Sequence, residues 1–251
     1  MNWTGLLCLR DGFAPNRYAL KFYPAPNKEK APVAIICPGG GYSAVMSGIE
    51  GVPIARALND AGYAAFIVRY RVRNRAAFPA PLQDLGRAVK EVTENRAGWP
   101  IDPSRYAIFG FSAGAHLTAM FGVNHLGWEK MGLPRPTALI LSYPVVTMGS
   151  QTHMGSRENL LGKTPSEAAI EQCSVERQVN GQYPPTFLWC GDSDRTVDPA
   201  NSRMLDTALQ NARVPHVWRE YHGVDHGVGL GKGLACESWL QDAIDFWQHQ
   251  M

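Results

Sequence analysis

Gly110-Phe111-Ser112-Ala113-Gly114 joins a short apolar run, Arg105-Tyr106-Ala107-Ile108-Phe109, to Ala115-His116-Leu117-Thr118-Ala119-Met120. The run before it reads as a strand and the stretch after it as a helix. A G-x-S-x-G at such a junction forces a sharp turn that lifts the serine hydroxyl clear of the sheet. Glycine flanks it because a side chain there would clash. Ser112 is therefore a candidate nucleophile, although the same pentapeptide also fits an ordinary structural turn.

Working outward, the elbow lies within a regular alternation. Tyr18-Ala-Leu-Lys-Phe-Tyr23 alternates in polarity and predicts an early, antiparallel edge strand. Val33-Ala-Ile-Ile-Cys37 and Tyr63-Ala-Ala-Phe-Ile-Val68 are continuous apolar runs, as expected of strands buried on both faces. Thr137–Ser142, Thr186–Cys190 and His216–Tyr221 are further strands. Helices are predicted over Gly48–Ala61, Leu82–Glu94, Pro199–Asn211 and Glu237–Gln248. Strands alternating with helices imply an α/β fold, a mostly parallel sheet covered on both faces. The alternation lapses between Tyr143 and Pro185, where the only helical candidate is Pro165–Gln172. A long stretch without a clear strand above the strand ends suits a small lid or substrate-binding insertion at about 143–185, or a packed surface excursion.

The 251 residues suit one domain, with 45% hydrophobic and 18% charged content. A formal net charge of +2 with scattered basic residues gives no nucleic-acid or membrane-surface footprint. No apolar run approaches the ~18 residues a membrane span needs. The N-terminal MNWTGLLCLRDGFAP has no basic region followed by a long apolar stretch, so no signal peptide is read there. The five cysteines, at 8, 37, 173, 190 and 236, are far apart and form no C-x-x-C. Cys37 and Cys190, which end apolar strand-like runs, read as buried thiols, and reduced cysteines fit a cytoplasmic protein. No His/Cys/carboxylate cluster has metal-ligand spacing, and no cofactor is expected.

A serine hydroxyl attacks poorly until a base takes its proton, and that base needs an acid to orient it. The required chain order is serine, acid, histidine, with the acid after a late strand and the histidine after the last one. Gly191-Asp192-Ser193-Asp194-Arg195-Thr196-Val197-Asp198 follows the Thr186 strand. Asp194 is the candidate acid, set on the loop beyond the strand end. Asp192 suits a turn, and Asp198 before Pro199 suits a helix cap. His222-Gly223-Val224-Asp225-His226-Gly227 follows the last strand. His226 lies deeper in the loop, whereas His222 abuts the strand and suits a supporting role. His116, one turn past Ser112, is expected to pack beneath it.

Acyl transfer also needs donors for a developing oxyanion. Cys37-Pro38-Gly39-Gly40-Gly41-Tyr42 follows the first long buried strand. Gly40 and Gly41 are candidate oxyanion donors through their bare N–H groups, joined by the N–H of Ala113. A phosphate loop is excluded because no Lys-Ser or Lys-Thr follows, and the late Gly227–Gly233 run lacks that spacing too.

With these residues in place the chain resembles the α/β-hydrolase esterase/lipase group, in particular small acetyl esterases and acetylxylan esterases. The resemblance is carried by PGGGY at 38–42, Glu50-Gly51, Val68–Arg71, Pro81–Asp84, Ile101-Asp102-Pro103 and GFSAGAH. Gly155–Gly162, Pro184–Phe187, Gly191–Asp194 and His226-Gly227 extend it along nearly the whole chain. It implies an α/β-hydrolase fold with a sheet of about eight strands. It also implies cofactor-independent hydrolysis of short acyl esters, often acetyl groups on sugars, and it favours His226 over His222. Pro38 stands where many lipase-like members have histidine, a departure that points to the sugar-esterase branch. Glycosidic cleavage is not expected, since no carboxylate pair stands out for it.

The expected partner is a small-molecule ester, with Tyr42, Tyr143 and His153 as candidate substrate contacts. Glu50 and Asp84 match family positions and equally suit structural hydrogen bonds. Two rival readings stay open. One is a peptidase or arylformamidase on the same scaffold, although such peptidases generally carry an extra N-terminal domain and only a short leader precedes Val33. The other is a non-catalytic binding protein, although that class usually loses a member of the triad.

Overall fold

The computed structural model describes residues 18–26 and 28–251. Cys8 and the N-terminal stretch read above for a signal peptide lie outside them.

In chain order the strands are β1 (Ala19–Tyr23), β2 (Ala31–Cys37), β3 (Ala64–Arg69), β4 (Ile101–Phe111), β5 (Ala138–Ser142), β6 (Thr186–Gly191) and β7 (His216–Tyr221). The helices are α1 (Ser47–Glu50), α2 (Val52–Asp60), α3 (Ala80–Glu94), α4 (Ala113–Gly122), α5 (Met154–Leu161), α6 (Glu167–Cys173), α7 (Ala200–Asn211) and α8 (Trp239–Gln248). The strands form one seven-stranded sheet in the order β1-β3-β2-β4-β5-β6-β7. Only β1 runs antiparallel, against β3. All seven strand candidates in the sequence become strands; the eighth strand implied by the resemblance is not among the described residues.

Pleating divides the core in two. Val33, Ile35 and Cys37 of β2 face one side, with Leu85 and Val89 of α3, Met120 of α4 and Leu205 of α7. Ala34 and Ile36 face the other, with Ile54 and Leu58 of α2 and Trp239 and Trp247 of α8. Both faces are therefore covered, which is why every residue of β2 and β5 is buried. Because β2 to β7 are parallel, the loops after β2, β4, β5, β6 and β7 all emerge at one edge, where such folds build their sites.

Three local departures have clear causes. The helix expected from Gly48 breaks at Gly51 into α1 and α2, with a proline opening α2. β4 starts at Ile101, ahead of Pro103, because its first residues pair with Ala31 and Pro32 before a register shift at Pro32/Val33. The 143–185 segment holds α5 as well as the expected α6. Inside it, Val146 and Thr147 N–H groups donate to the Asn201 side chain, at 3.0 and 3.2 Å. Tyr183 donates to the Ala119 carbonyl of α4 at 2.9 Å.

Candidate active site

Ser112 stands between β4 and α4 with φ 53° and ψ −120°, a region that side chains other than glycine rarely occupy. The fold over-determines that conformation. Ser112 N–H donates to Ser142 O at 3.0 Å, and its carbonyl accepts from Ala115 and His116 N–H at 3.0 and 3.1 Å. Gly114 is required by close approach, since a Cβ there would lie 2.1 Å from Cys37 O. The elbow thus packs directly on the end of β2.

His226 and Asp194 meet this serine. His226 Nε2 lies 2.8 Å from Ser112 Oγ and its Nδ1 lies 2.6 Å from Asp194 Oδ2. An ionised carboxylate only accepts, so Nδ1 carries the ring proton and Nε2 is left to accept from the serine hydroxyl. Asp194 is held in turn through its other oxygen, which accepts from Thr196 and Val197 N–H, both at 2.9 Å. The histidine loop is fixed by Asp225, which accepts from His226 N–H at 2.7 Å and Arg195 N–H at 3.1 Å. Ser112 and Asp194 are buried, and the His226 side chain is 13% exposed, so the line is sheltered yet open at one end.

The competing residues go elsewhere. Asp192 binds Gly223 N–H and His222 at the surface, at 2.8 and 2.7 Å. The Gly223 N–H first, then His222, lowers its carboxyl below the ordinary range. The His222 side chain is 97% exposed, too far out to support the buried line. Asp198 accepts from Ala200 N–H at 2.9 Å at the start of α7. Asp84 accepts from the backbone and side chain of Arg71, at 2.9 and 2.8 Å, fastening the end of β3 to α3.

The loop after β2 arches beside Ser112. Its Gly40 has φ 122°, and a Cβ there would lie 2.4 Å from Ala44 O, so only glycine fits. Gly40 O accepts from Ser43 and Ala44 N–H at 2.9 and 3.0 Å, closing the turn. The N–H groups of Gly40, Gly41 and Ala113 donate to no protein acceptor among the described residues. Tyr70 donates to Pro38 O at 2.6 Å and Asn159 to Gly41 O at 2.8 Å, holding the loop from both sides.

Two of the expected substrate contacts need correction. Tyr42 and Tyr143 are each 1% exposed, packed behind the site rather than lining it. Buried phenols need partners. The Tyr42 hydroxyl finds one in His116 Nδ1 at 2.8 Å, and the Tyr143 hydroxyl in Glu50 at 2.9 Å. His153 is half-buried at the start of α5, where Ser156 N–H meets its Nδ1 at 3.3 Å. Its ring carbon sits 3.6 Å from the place a Gly41 Cβ would take. Burial, then the nearby His226, lowers its pKa, while Asp194 pulls the other way. His153 thus lies at the mouth of the site. Among the described residues no group of three or more His, Cys, Asp or Glu side chains is placed to hold a metal.

A Ser–His–Asp line on the carboxyl edge of a doubly covered, mostly parallel sheet makes this molecule an α/β-hydrolase. The chain belongs to the prolyl oligopeptidase family of that fold: the family's model matches residues 79–251, and a second model, BD-FAE, matches residues 21–131. It is 34% identical to endo-1,4-beta-xylanase B of Butyrivibrio fibrisolvens and 30% identical to an acetylxylan esterase of Xylanibacter ruminicola. The alignments cover 91% and 90% of this chain but only 37% and 46% of those relatives. The chain therefore spans less than half the length of either. Among solved structures, an acetyl ester-xyloside bifunctional hydrolase from Caldicellulosiruptor lactoaceticus is 30% identical with a TM-score of 0.86, covering 99% of this chain and 93% of that one. A truncated carbohydrate esterase from gut microbiota is 25% identical with a TM-score of 0.79, covering 92% of this chain and 90% of that one.

Proposed function

We propose that the chain is a serine carboxylesterase that removes short acyl groups, with acetylated carbohydrates such as xylo-oligosaccharides as its substrate class. The observation that carries this is the hydrogen-bonded line from Asp194 through His226 to Ser112. His226 takes the hydroxyl proton as Ser112 Oγ attacks the ester carbonyl, and Asp194 stabilises the imidazolium that forms. The N–H groups of Gly40, Gly41 and Ala113 receive the oxyanion of the tetrahedral intermediate. The intermediate collapses to acyl-Ser112 as His226 passes its proton to the departing alcohol. Water, deprotonated by His226, then attacks the acyl carbonyl and releases the acid.

The sugar side of the reading draws on the acetylxylan esterase of Xylanibacter ruminicola and on the Caldicellulosiruptor hydrolase named for acetyl esters and xylosides. His153, beside Gly41, is the residue we assign to the sugar, and the 143–185 segment that carries it is the substrate-binding insertion. Among the described residues no helix is long and apolar enough to cross a membrane. Four buried free cysteines fit a reducing, cytoplasmic setting.

Acetylated xylo-oligosaccharides, p-nitrophenyl esters of increasing acyl length, a p-nitrophenyl xyloside and a peptide amide form the deciding panel. Preference for acetyl over long acyl groups, with little turnover of xyloside or amide, is expected. Faster cleavage of the amide would move the chain to the peptidase reading, and preference for long acyl groups would remove the short-acyl one. A fluorophosphonate that fails to label Ser112 would instead favour a binding protein.

A further inference from the structure

Glu50 ends α1 directly beneath the oxyanion loop and is 4% exposed. Its Oε2 accepts from Gly39 N–H at 2.7 Å and its Oε1 accepts from the Tyr143 hydroxyl at 2.9 Å. The Tyr143 oxygen accepts in turn from Gly229 N–H at 3.3 Å, three residues beyond His226. The Tyr143 ring lies against the His226 ring, with centroids 4.8 Å apart. One carboxylate and one phenol therefore connect the loops after β2, β5 and β7, from which the oxyanion donors and the histidine are presented. The fit is close: a Cβ on Gly39 would lie 2.7 Å from Ser112 Cβ and 2.9 Å from Glu50 Oε2.

A buried carboxylate ordinarily has a cation beside it. Here no lysine or arginine among the described residues forms an ion pair with Glu50. The titratable groups around it are Tyr143 at the end of β5, Tyr70 after β3 and His226 in the loop after β7. Both phenols are held well above their ordinary range, first by burial, so they stay neutral and act as donors. Around His226 itself stand Asp194, Asp225, His153 and Glu50.

We propose that Glu50 is a positioning residue: its carboxylate locks the oxyanion loop to the Tyr143 wall behind His226. The assignment rests on the reading of Ser112 as nucleophile and His226 as base. Gly39 N–H and the Tyr143 hydroxyl both reach the carboxyl as donors, an arrangement that suits its ionised form. Burial raises the Glu50 carboxyl above the usual range, while Gly39 N–H, the Tyr143 hydroxyl and His226 draw it back.

Glu50→Gln keeps the shape and loses the charge. With p-nitrophenyl acetate, turnover is followed against pH, so that the plateau and the acid limb are read separately. The plateau kcat should fall about fivefold or more, a small electrostatic loss on the scale of an oxyanion donor, with KM little changed. Tyr143→Phe keeps the ring against His226 but removes a donor from Glu50. The carboxylate then takes up its proton at higher pH, and activity is lost earlier on acidification. A Glu50→Gln enzyme with the wild-type plateau kcat would overturn the proposal. If that variant does not fold, an unmoved limb in Tyr143→Phe overturns it. Fluorophosphonate labelling of wild-type Ser112 is read first, so failure of the nucleophile assignment is recognised separately.

Discussion

Ser112 occupies a backbone region whose cost is on the order of 1–3 kcal/mol for a residue other than glycine. The strand, the helix start and the Ser142 carbonyl hold it there, and the result is a hydroxyl aimed at His226. Ser112→Ala should leave the circular dichroism spectrum unchanged and lower kcat for p-nitrophenyl acetate by about 10⁴-fold or more. Activity near wild type in that variant would end its assignment as nucleophile. Asp194→Asn is a sharper test of the acid. The asparagine oxygen can still receive Thr196 and Val197 N–H, so the loop keeps its shape. Its amide nitrogen cannot accept from His226 Nδ1, which pushes the ring into the wrong tautomer. A loss of about 10³–10⁴ in kcat with little change in KM is expected from steady-state kinetics. A loss under tenfold would reassign Asp194 to loop structure.

At the scale of elements, some features could be read because their signal is local. Val33–Cys37 is apolar throughout because both faces of β2 are covered, and the spacing of Leu82, Leu85, Ala88, Val89 and Val92 marks the buried face of α3. Ser112, Asp194 and His226 could be named as candidates because loop position after a strand is itself a sequence property, with the family resemblance favouring His226 over His222. Helix α5 could not: it buries only Ser156 and Leu160, too few to set a period. The direction of a loop aromatic is not in the sequence either, so Tyr42 and Tyr143 read there as cleft residues, whereas their hydroxyls are bonded inside the protein. Glu50 meets Gly39 across eleven residues and Tyr143 across ninety-three, separations that no periodicity encodes. Asn201 of α7 is a similar long-range device. Fully buried, it receives Val146 and Thr147 N–H and donates to Gln151 O and Asp198 O at 2.9 and 3.1 Å. Asn201→Ala strands two buried donors and should destabilise the protein by about 2–4 kcal/mol in urea unfolding. A change under about 0.5 kcal/mol would mean that water replaces the side chain there.

For the molecule as a whole, His116 is the point where distant parts of the chain are joined in the interior. Fully buried on α4, it meets the Tyr42 hydroxyl of the loop after β2 and the Cys173 carbonyl that ends α6, both at 2.8 Å. A carbonyl only accepts, so Nε2 carries the proton and Nδ1 receives the tyrosine hydrogen, which makes the ring neutral. A second proton would break the Tyr42 bond and leave a charge in the core. Burial accordingly pushes His116 down to about 4, against a smaller upward pull from the Cys173 carbonyl. Between about pH 6.5 and 4 the unfolded chain binds a proton that the folded one refuses. Stability therefore rises with pH across that window and is lost on acidification, by about 3 kcal/mol for this group alone. Below about pH 4 both states are protonated and the contribution is spent. Other carboxylates and histidines titrate in the same range, so the comparison must be between two chains rather than two pH values. His116→Gln removes the titration while keeping a polar group beside Tyr42. Urea unfolding at pH 7 and pH 4 should show the variant losing about 2–3 kcal/mol less than wild type on acidification, whatever its stability at pH 7. Equal losses in the two proteins would show that the bridge between the loop after β2 and α6 is indifferent to protonation.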